Sequence, residues 1–416
     1  MSLDNKGVLA ILIIVVLAGG LAGGWFIGQM GVGPAGPTGL QGEQTIVFLA
    51  PLTGALSTYG ENSKVAAEYA ETQVNAWLTE RGEAWSLNLV VEDTATDPTT
   101  ADTKMRTWHG QGVEIFVGPM SSGEVTNLKT YADSNGLLLI SPSSTATSLS
   151  IADDSVFRFC PDDYIQGPAI AAMLLDAGIT DVIATWRGDA WGDGLKDATE
   201  DAYGSTFTAE VRYTYTLTDF PTEAESLRSA VQAALDGGAD PSEVAVLAIG
   251  FEEIIPYMED ADAHAVLKTV QWFGSDGTCL LSSLTSHAIA GPFADTVNFT
   301  NTIFTPGASA KYLDVRNHIN TTLNRIPDSY CYNTYDIVWT VAMALDAADE
   351  YSAAAVKGIL PGLVDNYYGA SGLFSLNANG DRSVADYDLW AVVAGAPAEW
   401  AKVGTYSANL DVIIWE

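Results

Sequence analysis

Two neighbouring stretches decide the fold: Val113-Glu-Ile-Phe-Val-Gly-Pro-Met-Ser-Ser-Gly123 and Leu137-Leu-Leu-Ile-Ser-Pro-Ser-Ser-Thr145. Each begins as an apolar, β-branched-rich run and ends in a short loop of hydroxyls, glycine and proline. Between them, Ser122–Asn135 carries a helical spacing of apolar residues. The unit strand, polar loop, helix, strand is that of an open parallel sheet, where ligands bind beyond the carboxyl ends of the strands. A third loop of this kind, Gly274-Ser-Asp-Gly277, follows the run Val270–Phe273. These loops offer hydroxyls and one carboxylate and no nucleophile with an adjacent base. They suit holding a molecule rather than breaking one.

The same alternation extends in both directions. Strands are expected at Thr45–Ala50, Leu87–Val91, Val113–Val117 and Leu137–Ile140, with helices at Ser63–Arg81, Thr99–Gly110 and Ser122–Asn135. It restarts near residue 160. Helices are expected there at Gln166–Ala177, Gly192–Tyr203, Glu223–Leu235 and Glu252–Ala263, and strands at Val182–Trp186, Ala209–Tyr215, Val244–Ile249 and Val270–Phe273. Long helical patterns over Tyr330–Tyr351 and Ala353–Val364 then precede strands at Asp386–Val393 and Trp400–Tyr406. The pattern predicts an α/β protein of two doubly wound lobes around a central cleft. The expected division is 45–162 with about 293–385 for the first lobe, and 163 to about 292 with about 386–416 for the second. Repeated crossings between lobes make a hinge, and a hinge over a cleft closes on a ligand.

At 416 residues the chain is long enough for two such lobes. It carries 18 Lys+Arg against 52 Asp+Glu, a net charge of −34. That charge repels nucleic acid and anionic lipid headgroups, so neither is expected as a partner. A salt-rich habitat and an ordinary secreted acidic protein both fit it. The three cysteines, Cys160, Cys279 and Cys331, form no CxxC or Cys/His cluster. No metal site or cofactor is therefore expected, and one disulfide of unassigned pairing is open. Asn377-Ala-Asn-Gly-Asp381 lacks the terminal Glu of a calcium loop and reads as a hairpin turn. Asn298 and Asn320 open glycosylation sequons. The histidines are scattered and no phosphate loop or hydrolase elbow is present, so an enzyme is not expected.

The N-terminus sets the compartment. Val8–Met30 is uncharged and, over Val8–Ala18, densely apolar. It fits a bilayer span, a secretory signal or a pilin-like leader cut near Lys6-Gly7. All three place the chain after residue 30 outside the cytoplasm. The preferred reading is a retained transmembrane anchor over residues 1–30. Residues 31–44 then form a stalk, with Gly at every third position from Gly33. The repeat is collagen-like, and as an extended Pro/Gly spacer it reaches roughly 35 Å at about 3.1 Å per residue.

Several strings in order carry a family resemblance. They are Ala50-Pro-Leu-Thr-Gly54 with Tyr59-Gly60, Gly118-Pro-Met-Ser-Ser-Gly123, Ile140-Ser-Pro-Ser-Ser-Thr145, Phe157-Arg-Phe-Cys-Pro-Asp-Asp163, Trp191-Gly-Asp-Gly194, Gly274-Ser-Asp-Gly277 and Asn379-Gly-Asp-Arg382. Over residues 45–410 the chain resembles the substrate-binding proteins of branched-chain amino acid ABC transporters, with the type I periplasmic-binding fold. The resemblance implies a small amino acid, branched-chain or apolar, as ligand and an ABC permease as partner. It implies that Ser122 and Thr145, helped by the backbone of Ser143, hold the ligand carboxylate. Asp276 would take the ammonium group, and Tyr59, Trp191 and Phe251 would wall the pocket. Trp191 stands where tyrosine is common, and Ser143-Ser144 where alanine or glycine is common, which leaves side-chain specificity open.

Read from physics alone, Ser122 either adds a donor to the anion-binding start of a helix or merely caps it. Thr145 is equally an ordinary turn hydroxyl. Asp276 is a cleft carboxylate suited to an ammonium ion or a turn-forming Asp-Gly. The aromatic residues either contact ligand or cover a core edge. Arg158 reads as structural, paired with Asp162 or Asp163. Rival functions are a binder of an amide, urea or aromatic acid, a ligand-sensing ectodomain, and a surface or filament subunit.

Overall fold

The structure is a computed structural model that describes residues 39–416. The expected anchor at 1–30 and most of the 31–44 stalk lie outside the described residues. Among the described residues no helix is long and apolar enough to cross a membrane.

The elements alternate from the start: β1 Gly42–Ala50, α1 Ser57–Arg81, β2 Trp85–Asp93, α2 Pro98–His109, β3 Ile115–Val117, α3 Ser122–Asn135, β4 Leu138–Ser141 and β5 Val156–Arg158. A second series continues the chain: α4 Asp163–Asp176, β6 Asp181–Arg187, α5 Ala190–Tyr203, β7 Ala209–Tyr213, α6 Pro221–Asp236, β8 Val244–Ile249, α7 Ile254–Ala261 and β9 Gln271–Gly274. The chain ends with α8 Ser282–Ser286, α9 Ala290–Thr296, β10 Thr300–Phe304, α10 Ala310–Leu323, α11 Tyr330–Ala348, α12 Ala353–Val364, β11 Tyr387–Val393, β12 Glu399–Ser407 and β13 Val412–Trp415.

The strands form two sheets. The first is parallel throughout, in the order β2-β1-β3-β4-β5. The second runs β13-β12-β11-β10-β9-β8-β6-β7, parallel from β7 to β10 and antiparallel from β10 to β13. Helices cover both faces of a parallel sheet, so its central strands bury every side chain. The segment Val-Ala-Val-Leu-Ala-Ile of β8 is buried throughout. Helix ends follow local chemistry. Ser121 and Glu124 form a capping box before α3, and Gly136 closes that helix in the left-handed conformation.

β10 departs from the expected division. The sequence assigned 293–385 to the first lobe, yet Thr300–Phe304 sits in the second sheet between β9 and β11. Its Thr-Asn-Thr start looks like loop, but all five side chains are buried. Their polar groups are paired: Asn301 Oδ1 accepts from Thr278 Oγ1 at 2.6 Å, and Thr302 Oγ1 accepts from Gln166 Nε2 at 3.1 Å. α11 then packs on α1 of the first lobe before the chain returns to β11.

At one crossing, Arg158 ends β5 fully buried. Its guanidinium donates to both oxygens of Asp381, at 2.6 and 2.7 Å, and to the Ser144 and Ala146 carbonyls. Of the two expected partners, Asp162 forms a weaker ion pair at 3.9 Å, while the fork geometry is spent on Asp381. Residues 377–381 form the expected turn, closed by Gly380 N–H on the Asn377 carbonyl at 3.0 Å. The open disulfide is resolved too, since Cys160, Cys279 and Cys331 are all buried free thiols.

Candidate solute-binding site

The site lies where both sheets end. Gly118 follows β3 with φ +82°, and a Cβ there would come within 2.7 Å of the Leu49 carbonyl. Glycine therefore lets the chain turn sharply from strand into the loop that opens α3. Ser121 is the N-cap of α3, and Ser122 stands in its first turn. The capping alternative for Ser122 is thus excluded. Its Oγ accepts the Ala146 N–H at 3.1 Å, which ties together the loops after β3 and β4 and leaves the hydroxyl proton free to donate. Ser121 and Ser122, at the start of α3, line the same space, and a helix start leaves its first amides without intrahelical acceptors.

Ser143 donates its hydroxyl proton to the Met120 carbonyl at 2.8 Å. Its backbone N–H is held only loosely, 3.4 Å from Ser141 Oγ. Thr145 is buried but is not part of the pocket wall. Its carbonyl accepts the Asp163 N–H at 2.9 Å, so the turn after Pro142 aims it at the start of α4.

The opposite wall comes from the second lobe. Asp276 is buried in a turn after β9, not solvated. Its Oδ1 accepts from Gln166 Nε2 at 2.9 Å, and its Oδ2 accepts from the Tyr330 hydroxyl. Burial pushes its pKa above the ordinary carboxylate value, against these bonds, which favour the charged form. Asp163, also fully buried, is pushed up further by burial and then by the charge of Asp276.

Tyr59 sits early in α1, its hydroxyl between the carbonyls of Asp276 and Cys279 across the cleft. Trp191, held in the first turn of α5 by the Asp189 cap, stacks on Phe251 with centroids 4.6 Å apart and planes at 23°. The Arg187 guanidinium also lies over Phe251, 3.9 Å from its centroid, and is neutralised by Glu253 and Asp189 at 2.6 and 2.7 Å. Gly277 permits this approach. A Cβ there would meet the Gly250 carbonyl at 2.4 Å and the Phe251 and Trp191 rings at 2.7 Å.

The structure brings Tyr59, Ser122, Ser143, Trp191, Phe251 and Asp276 around one small cavity, with Leu56, Met120, Ser121, Gly277 and Tyr330 completing its lining. Of the expected residues, only Thr145 stands apart. Tyr330 and Gln166 went unnoticed because each opens an apolar helical pattern that gives no sign of a polar contact. Among the described residues no cluster of His, Cys, Asp and Glu could hold a metal.

An aromatic-lined cleft between two α/β lobes, with hydroxyls on one wall and a carboxylate on the other, defines a class of protein that closes on small solutes. Residues 62–395 match the family described as receptor family ligand binding region, and the chain belongs to that family. An uncharacterised protein of Methanocaldococcus jannaschii is 30% identical over 390 residues, covering 89% of this chain and 91% of its own length. A Leu/Ile/Val-binding protein homologue of Brucella melitensis is 26% identical, over 83% of this chain and 90% of its own. In fold, a leucine-binding protein from Thermotoga maritima superposes with a TM-score of 0.72 at 18% identity, covering 88% of this chain and 98% of that one. The chain is a solute-binding protein of the Leu/Ile/Val-binding type, a group of substrate-binding proteins and not enzymes.

Proposed function

We propose that the protein captures a small apolar or branched-chain α-amino acid between its lobes, outside the cytoplasm, and delivers it to an ABC permease. The observation that carries this reading is the polarity of the cavity. Ser122 and the start of α3 offer donors on one side, Asp276 offers a buried carboxylate on the other, and Leu56, Met120, Trp191 and Phe251 supply apolar wall. Free donors at a helix start suit a carboxylate. A buried carboxylate whose pKa is raised by desolvation gains most from a cation that restores its charged form.

Ser122 and the α3 amides are the carboxylate donors in this reading, and Thr145 contributes at most through the turn it stabilises. Tyr59, Trp191 and Phe251 contact the side chain. Tethering by the apolar segment 8–30 rests on the sequence.

A thermal-shift screen of the protein against the twenty amino acids, amides, urea and aromatic acids tests the proposal. A ligand at ~100 times its Kd adds about 2.7 kcal/mol to stability. A rise with leucine, isoleucine or valine is expected. A rise confined to ligands without an amine would overturn the amino-acid reading.

A further inference from the structure

α1 has an incomplete N-terminus. Its N-cap position is Leu56, which has no side-chain acceptor to offer. A helix start leaves amides in want of acceptors. Here the Ser57 N–H reaches the Gly54 carbonyl at 3.2 Å, and the acceptor for Thr58 comes from the other lobe. Glu252, just beyond β8, places Oε1 2.8 Å from the Thr58 amide and 3.2 Å from Ser57 Oγ. The Glu252 backbone N–H also donates to the Ala55 carbonyl at 3.0 Å. Ser283 Oγ, on α8 of the second lobe, donates to Oε2 at 3.3 Å and steadies the carboxylate from behind.

We infer that Glu252 is a positioning residue for solute capture: a cap for α1 supplied across the cleft, completed only when the lobes meet. The chain neighbours of the capping pair line the cavity. Phe251 precedes Glu252, Tyr59 follows Thr58 and Leu56 precedes Ser57. A molecule that seats these residues therefore also seats the cap. A bond present in the closed form and absent in the open form shifts the closure equilibrium by its own free energy. A carboxylate is well placed here, since negative charge at a helix N-terminus is favoured by the helix dipole. Losing an N-cap acceptor changes an equilibrium about fivefold, within a range of roughly two- to thirtyfold.

The effect on affinity rests on the solute-capture reading, whereas the cap itself does not, so the test has two arms. The first is residue-resolved amide hydrogen exchange at Thr58, without ligand and with saturating leucine, in the wild-type protein and Glu252→Ala. Protection of Thr58 in the wild type and exchange at least about fivefold faster in the variant are expected, with amides in the middle of α1 unchanged. The second arm is leucine dissociation. Glu252→Ala should release leucine about fivefold faster with an unaltered association rate, and Glu252→Gln, which keeps an acceptor oxygen, should recover most of the loss. Should Glu252→Ala not fold, Glu252→Asp shortens the arm by one methylene and serves the same comparison. Equal Thr58 exchange in wild type and variant under both conditions overturns the inference. Unchanged leucine dissociation in the variant does so as well. A wild type that binds no leucine but loses Thr58 protection on substitution retains the cap and overturns the amino-acid reading instead.

Discussion

Replacing Asp276 by asparagine separates what this carboxylate does for a ligand from what it costs the empty protein. The substitution keeps size and shape and removes the charge. With an amino acid bound, the ammonium group would then face a neutral amide beside the Tyr330 hydroxyl in a buried site. Truncating one partner of a buried, hydrogen-bonded charge pair costs about 2–5 kcal/mol, or roughly 30- to 5,000-fold in affinity. Without ligand the sign reverses. The folded-state pKa of Asp276 is raised by burial, so its contribution to stability is complete below the ordinary carboxylate pKa and is lost as pH rises through the folded value. Above that folded value the ionised group burdens the empty fold, and asparagine relieves that burden. Calorimetric titration with leucine at pH 7 and ligand-free thermal melting of the same samples read both effects. The expected pair is a loss of affinity in that range with a melting temperature equal to or above the wild type. A variant that binds leucine within about threefold of the wild type would refute the assignment of Asp276 as the ammonium anchor.

Packing and charge carry further consequences. Gly277→Ala pushes a methyl into the Gly250 carbonyl and the Trp191–Phe251 stack, so leucine affinity and melting temperature should both fall, with a stability loss of about 1–3 kcal/mol in denaturant titration. Asp381→Asn leaves Arg158 charged and buried without its bidentate partner, and should cost about 3–5 kcal/mol by the same assay. Asp328, buried on the approach to α11, has its pKa raised to about 6, so its contribution to stability is full below about pH 4 and gone above about pH 6. Asp328→Asn should therefore flatten the pH–stability curve between those limits. The net charge of −34 predicts a melting temperature that rises as NaCl is increased from 0.1 to 1 M, where the Debye length contracts from about 10 to 3 Å.

The parts of this fold that announce themselves locally were legible in the sequence. α3 was placed to the residue from its apolar spacing, and Ser121, Glu124 and Gly136 close its ends by their own chemistry. β8 was equally plain, as an unbroken apolar run between turn signals. β10 was not, because Thr300, Asn301 and Thr302 are strand residues only by virtue of partners far along the chain. The site shows the same divide. Loop hydroxyls and Asp276 follow strand-like runs and could be picked out. The polar role of Tyr330 is hidden in a helix that reads as apolar, and that of Gln166 in the first turn of α4. Thr145 stands apart from the cavity lining for a related reason: a loop's composition does not say which of its side chains faces the cavity. Glu252 as a cap for a helix in the other lobe has no local signature at all, since Thr58 lies 194 positions away.

The most direct test of solute capture between these walls is calorimetric titration of the ligand-free wild-type protein with leucine, and separately with 4-methylpentanoate and 3-methylbutylamine. These analogues remove the ammonium and the carboxylate in turn while keeping the branched chain. Binding of leucine alone, with each analogue weaker by at least about 30-fold, is the result predicted from Asp276 on one wall and Ser122 with the start of α3 on the other. Binding of 4-methylpentanoate as tight as that of leucine would contradict it.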